Sequence, residues 1–115
     1  MEITIKGKKY QLNFGVGFVR SLDQHYGLSN NAGFSLGMAL TKTIPALNSY
    51  DTATLAEVIQ CAAEPAVSLN DVDALIDDPK TDLEKLFKDV MKEMSEANAV
   101  KLAAKNLGNQ GSANL

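Results

Sequence analysis

The residue types that most often perform chemistry are scarce in this chain. It has one histidine, His25, and one cysteine, Cys61. A nucleophilic triad would need serine, histidine and aspartate side chains that meet. Ser21, Asp23 and His25 are spaced two residues apart, which would point their side chains to different sides of a helix. We therefore predict no triad, and we interpret His25 as a structural residue at the border of an apolar helix face.

Two further features do not match the sequence patterns of known functional sites. Gly15-Val16-Gly17 lies between a predicted strand and a predicted helix, but the third glycine of a dinucleotide fingerprint would fall at Arg20. We interpret the two glycines as allowing a helix to start close to the preceding strands. Cys61 is predicted to be a small buried apolar residue, since the nearest charges, Glu57 and Glu64, would not activate a thiol.

Metal binding is not predicted either. With one His, one Cys and no Cys-x-x-Cys pair, a zinc site would lack its usual ligands. Four aspartates cluster in one region, but their spacing misses the calcium-loop pattern and its glycine. These residues, which we expect to be solvated or to cap helices, are Asp71, Asp73, Asp77 and Asp78. The sequence thus predicts no cofactor, no metal and no enzymatic activity.

The charge and hydrophobicity of the chain argue against two classes of partner, nucleic acids and membranes. The 115 residues carry 11 Lys and Arg against 14 Asp and Glu, a formal net charge of −3, with a pI of about 5.0. This is the wrong sign for a protein that neutralises phosphates, so no nucleic-acid partner is expected. No apolar run approaches the ~18 residues of a membrane helix, and the N-terminus lacks signal-peptide features. We expect a single cytoplasmic domain with no membrane partner.

The pattern of apolar residues predicts a mostly helical α+β fold. Ile3, Ile5, Tyr10 and Leu12 alternate with polar residues around Gly7, which indicates a β-hairpin. After Asn13 the apolar period changes to about 3.6, and four or five helices are predicted. Their expected spans are Phe14 to Tyr26, Phe34 to Asn48, Asp51 or Thr54 to the residues before Pro65, Leu69 to Ile76, and Leu83 to about Val100 or Leu102.

Local signals predict where these helices begin and end. Gly27 should end the first helix, and Pro45 should kink or end the second. Ser68 is expected to cap the fourth helix. Thr81-Asp82-Leu83-Glu84 matches a capping box for the fifth. On this last helix we expect ion pairs four residues apart, namely Glu84 with Lys88, Lys85 with Asp89, and Lys92 with Glu96.

One feature suggests protein binding. The last helix offers Phe87, Met91 and Met94, and methionine suits surfaces that accept varied apolar partners. The alternative is that these side chains, like Met38, belong to the core. We predict Phe87, Met91 and Met94 as the partner-binding residues. We also predict that the edge of the hairpin supports self-association by strand pairing.

Two N-terminal stretches, together with the predicted order of strands and helices, resemble the pattern of a known protein family. They are Ile3-Thr4-Ile5-Lys6-Gly7-Lys8-Lys9-Tyr10 and Asn13-Phe14-Gly15-Val16-Gly17-Phe18-Val19-Arg20-Ser21-Leu22-Asp23. Here the chain resembles the tail assembly chaperones of long, non-contractile-tailed phages and prophages of Gram-positive bacteria. The resemblance continues through Gly37-Met38-Ala39-Leu40, Ile44-Pro45-Ala46-Leu47, Val72-Asp73-Ala74-Leu75-Ile76-Asp77 and the last helix. It covers about residues 1–107, which we predict to be one domain, followed by a flexible tail at 108–115.

The resemblance implies a protein of the host cytoplasm that binds the tape measure protein and recruits tail tube subunits. It also implies absence from the finished virion. In such families ribosomal slippage often yields a longer product. Ala104-Lys105-Asn106 is compatible with a slippery heptamer, which marks Lys105 and Asn106 as a possible frameshift position. The alternative we retain is a permanent small virion protein such as a head-tail connector.

Overall fold

The computed structural model describes residues 1–27 and 37–102. Within these ranges the fold is mostly helical α+β, with an N-terminal hairpin and a small third strand packed against helices. The strands are β1 (Glu2–Ile5), β2 (Lys8–Leu12) and β3 (Ala63–Glu64). The helices are α1 (Val16–His25), α2 (Leu40–Asn48), α3 (Thr52–Ala62), α4 (Leu69–Asp77) and α5 (Leu83–Glu96), followed by a helical stretch at 98–102. The predicted fold class is confirmed.

The hairpin forms as predicted. β1 and β2 pair antiparallel, with Ile3 opposite Tyr10, and the two-residue turn between them is Lys6-Gly7. Both turn residues have positive φ, 51° for Lys6 and 77° for Gly7. Such a pair of left-handed residues matches the twist of the strands, which is why two-residue hairpins favour it. The prediction anticipated this conformation for Gly7 alone.

A third strand, which the sequence analysis did not predict, extends the sheet. β3 pairs antiparallel with β2, placing Glu64 opposite Gln11 and Ala63 opposite Leu12. The Asn13 N–H also donates to the Ala62 carbonyl at 2.9 Å. The sheet order is β1-β2-β3, so β1 is the long edge strand.

The first two helices differ from expectation in their bounds. α1 begins at Val16 and ends at His25, just before Gly27, whose φ of 69° closes it as predicted. The predicted start of the second helix was wrong over residues 37–39, which form a turn, and its first residues lie outside the described ranges. Pro45 was expected to kink or end α2, but the helix continues past it to Asn48. Pro45 lacks the N–H that would donate to the Thr41 carbonyl, yet the helical turn after it is retained.

Three helices are capped by side chains. Of the two candidate caps for α3, the structure selects Asp51, which accepts from the Thr54 N–H at 3.1 Å. Ser68 caps α4 as predicted, accepting from the Asp71 N–H. The capping box at Thr81 was wrong by one residue, because Asp82 caps α5. The Thr81 hydroxyl is engaged elsewhere, donating to the Leu75 carbonyl at 2.7 Å.

The last predicted helix is divided in two. α5 ends at Glu96, and Ala97 has the extended values φ −81° and ψ 128°. The expected continuation to Val100 or Leu102 was therefore wrong as one helix, although 98–102 is helical again. Two of the predicted ion pairs form, Lys85 with Asp89 at 2.7 Å and Lys88 with Glu84 at 3.3 Å. Between Lys92 and Glu96 no ion pair forms in the described part of the chain.

The core lies between the inner face of the sheet and the helices. It contains the alternating hairpin residues Ile3, Ile5, Tyr10 and Leu12 together with apolar residues from every helix. α3 is the central helix, with Leu55, Val58 and Ile59 fully buried. α3 and α4 approach each other closely, whereas α5 stands further from its neighbours. This spacing leaves clefts beside α5.

Candidate protein-binding groove

The predicted partner-binding residues occupy different environments on α5. Phe87 and Met94 are 2% and 3% exposed and belong to the core. The Phe87 ring meets the Tyr50 ring edge to face, with centroids 5.2 Å apart. Met91 is half-buried and packs at the border of the core. Of the three, Met91 is therefore the residue whose side chain is most available to a partner.

An apolar groove of about 530 Å³ lies between α2 and α5. Its apolar lining consists of Ile44, Leu47, Met91, Met94 and Val100. Leu47 and Met94 are buried and form its base, while Ile44 and Met91 are half-buried. The structure thus joins Met91 and Met94 with residues of α2 and of the helical stretch at 98–102, while Phe87 lies outside the lining.

The polar part of this lining is basic. Lys88 and Lys92 contribute to it, along with Asn48 and Ser95, and no carboxylate does. Lys88 donates to Glu84, and this hydrogen bond and charge raise the pKa of Lys88 above its usual value. Lys88, Met91, Lys92 and Ser95 recur at the spacing that shares one face of a helix. That spacing was visible in the sequence and could have indicated the α5 side of the groove. The residues that α2 contributes to the lining could not be predicted from it.

A second cleft of about 560 Å³ lies on another side of α5 and has the opposite charge. It is lined by Glu64 of β3 and by Glu93 and Glu96 of α5, together with backbone and side chains around Asn13. The N-terminal ammonium group lies 3.9 Å from Glu93. A metal site is not formed there: within residues 1–27 and 37–102 no group of three or more His, Cys, Asp or Glu could hold an ion.

His25 and Cys61, the two residues considered first as candidates for chemistry, have surroundings that fit structural roles. His25 Nε2 lies 2.9 Å from Glu57 Oε2, and the Tyr26 hydroxyl donates to Glu57 Oε1 at 2.8 Å, so the pair of residues ties α1 to α3. Burial, followed by the charge of Glu57, raises the pKa of the half-buried Cys61 thiol to about 11. The thiol is accordingly poorly ionised and unsuited to nucleophilic chemistry.

Asp23 does not face solvent. It is buried, with only 3% of its surface exposed. Its carboxylate accepts from the Gly37 N–H at 2.7 Å and from the Ala39 N–H at 3.0 Å. These groups lie in the turn before α2, so Asp23 ties α1 to this turn.

The two glycines near the start of α1 have different roles. Gly15 precedes the helix, and its N–H donates to Asn13 Oδ1 at 2.9 Å. A Cβ atom at Gly15 would lie 3.1 Å from that oxygen, whereas one at Gly17 would meet nothing within 4 Å. The interpretation that both glycines serve close approach is therefore wrong for Gly17.

The aspartates near α4 act as surface and capping groups. Asp71 pairs with Lys6 of the hairpin turn at 2.8 Å, and the hydrogen bond from Lys6 lowers the pKa of Asp71. Asp78 accepts from the Lys80 N–H.

Among the described residues no helix is both long and apolar enough to cross a membrane.

The described residues thus combine a small α+β fold with an apolar groove between α2 and α5. A family model described as "Phage tail assembly chaperone protein, TAC" matches residues 2–109. The chain belongs to this family of phage tail assembly chaperones, and it is not an enzyme. No curated protein and no solved structure shows significant similarity to it. The resemblance seen in the sequence is thereby confirmed at the level of the family.

Proposed function

We propose that this protein binds the tape measure protein of a long, non-contractile-tailed phage and helps recruit tail tube subunits around it. The family match over residues 2–109 carries the proposal, since a tail assembly chaperone has tail proteins as partners. The protein would act in the host cytoplasm and be absent from the mature virion. The groove between α2 and α5 supports the proposal, because two helix walls with an apolar base suit a third helix.

The physical reason for such a chaperone lies in its client. A long helical protein with an apolar face aggregates until that face is covered. A groove that contains methionine adapts to side chains of different shape, because the thioether chain is unbranched and flexible. The exposed part of Met91, beside the buried Met94, provides this kind of surface.

The test is co-expression of the chain with the tape measure protein from the same gene cluster, followed by size-exclusion chromatography of the soluble fraction. We expect the two proteins to elute together and the tape measure protein to be insoluble when expressed alone. Separate elution, together with detection of the chain in purified virions, would contradict the proposal and favour a permanent virion component such as a head-tail connector.

Two finer aspects belong to the same proposal. Lys105 and Asn106 lie outside the described residues, and we infer that their codons include a slippery site that yields a longer product. Sequencing the gene tests this, since a gene without a comparable heptamer would not slip there. Self-association through β1 is also part of the proposal, because within residues 1–27 and 37–102 β1 pairs with β2 alone.

A further inference from the structure

The groove between α2 and α5 differs in charge from the rest of the molecule. The chain as a whole carries a net charge of −3, yet the charged residues that line this groove are Lys88 and Lys92. The cleft on another side of α5 is instead lined by three glutamates. Any occupant of the groove must therefore satisfy an apolar base and a basic border.

We propose that the groove binds an amphipathic helix whose apolar stripe is flanked on one side by carboxylates. This inference rests on the proposed function, and it specifies the client segment as an acidic, apolar helix of the tape measure protein. The lysines would pair with those carboxylates, Lys88 exchanging its exposed ion pair with Glu84, while the stripe contacts Ile44 and Met91.

The dimensions of the groove suit two turns of helix. Its lining on α5 runs from Lys88 to Ser95, a span of seven helical steps and hence about 10 Å at ~1.5 Å per residue. Two turns of a client helix present three apolar side chains at positions i, i+3 or i+4, and i+7. Lys88 and Lys92 are one turn apart, so carboxylates four residues apart on the client would face both.

The chain itself offers a poorer occupant. Residues 103–115 contain Lys105 and no Asp or Glu, so their side chains do not complement a basic border. A second copy could present the acidic helix α4, but the apolar face of α4 packs into its own core, with Val72 fully buried. Charge and burial therefore favour a separate, acidic helix.

The test measures binding of two designed helical peptides to the full chain by fluorescence anisotropy. Both peptides carry the same leucine stripe, and one is flanked by glutamates, the other by lysines. We expect the glutamate-flanked peptide to bind about tenfold more tightly at low salt, with the difference shrinking at high salt. The double variant Lys88→Glu, Lys92→Glu should reverse the preference.

A matched control separates the groove from overall charge. Lys9 and Lys80 are exposed and lie outside the groove, so Lys9→Glu, Lys80→Glu makes the same change in net charge. The control should keep the preference of the unmodified chain. Equal binding of the two peptides, or an equal effect of both double variants, would overturn the proposal. So would self-association of the unmodified chain that the Lys88→Glu, Lys92→Glu variant abolishes, since the occupant would then be a second copy.

Failure of this inference can be distinguished from failure of the proposed function. If the tape measure protein elutes with the unmodified chain and equally with the Lys88→Glu, Lys92→Glu variant, the assigned groove is wrong and the chaperone function stands. If the peptides discriminate but the tape measure protein never elutes with the chain, the assigned client is wrong.

Discussion

At the scale of single residues, two carboxylates hold the helices in place. The Asp23 carboxylate, on α1, accepts two backbone N–H groups that precede α2. Glu57, on α3, accepts from Tyr26 and contacts His25. Neither role could be predicted from the sequence, because the donors lie 14 to 32 residues away and each residue looks like an ordinary polar position on its helix.

Replacing Asp23 should destabilise the fold. Asp23→Ala removes both acceptors and leaves the Gly37 and Ala39 N–H groups without partners in a buried place, so we expect a loss of about 2 to 4 kcal/mol in the free energy of unfolding. Urea denaturation followed by circular dichroism measures this. The control is Asp73→Ala, at an exposed aspartate of α4, which should change stability by no more than about 0.5 kcal/mol. Equal effects of the two variants would contradict the assigned role.

Tyr26 should make stability depend on alkaline pH. Burial, followed by the hydrogen bond to Glu57, raises the pKa of Tyr26 from 10.0 to about 12. Because the folded-state pKa is the higher one, the stability linked to the neutral phenol is present below pH 10 and is lost as the pH rises towards 12. In an ultraviolet absorbance titration, we expect a phenol ionisation near pH 12 that disappears in the Tyr26→Phe variant.

The glutamate partner provides the control for this titration. Glu57→Gln removes the negative charge beside Tyr26, so the late ionisation should move to lower pH. Glu96→Gln, at an exposed position of α5, should leave it unchanged. A difference titration between the unmodified protein and Tyr26→Phe that places the ionisation of Tyr26 at about pH 10 would disprove the environment described for Tyr26.

At the scale of elements, the sequence predicted features that depend on near neighbours. The hairpin turn and the caps Asp51 and Ser68 follow from residues within a few positions, and they are confirmed. β3 was missed because a two-residue strand of Ala63 and Glu64 carries no alternating pattern and exists only through its pairing with β2. The end of α5 at Glu96 was missed because Ala97 is a good helix former, so its residue type gives no signal for the extended conformation that it adopts.

Pro45 departs from the expectation for a proline, since α2 continues past it to Asn48. It lies inside α2 and is exposed, so Pro45→Ala would restore a backbone N–H that can donate to the Thr41 carbonyl. We expect a gain of about 1 to 2 kcal/mol in the free energy of unfolding, after the greater freedom of the unfolded alanine chain is counted. Lys42→Ala, at an exposed position of the same helix, is the control and should have little effect. An unchanged or lower stability for Pro45→Ala would mean that the proline geometry is needed by α2.

At the scale of the whole molecule, α5 separates two clefts of opposite charge. Lys88 and Lys92 line the apolar groove on one side, and Glu93 and Glu96 line the acidic cleft on another. The amphipathic pattern of α5 was visible in the sequence, whereas the groove depends on the distance at which α2 stands from it. Sequence reasoning therefore identified the helix that forms one wall of the groove but could not separate its core residues from its accessible ones.

Because Met94 is buried and Met91 is only half-buried, we expect the same substitution to have different effects at the two positions. Met94→Asp would place a charge in the core, so we expect it to unfold the domain or to reduce its stability by more than about 3 kcal/mol. Met91→Asp, at a half-buried position, should leave the domain folded while abolishing co-elution with the tape measure protein. Circular dichroism and size-exclusion chromatography of the co-expressed proteins check both parts. If Met91→Asp unfolds the domain as well, Met91 is a core residue; if it folds and still retains the tape measure protein, the client binds elsewhere than the groove between α2 and α5.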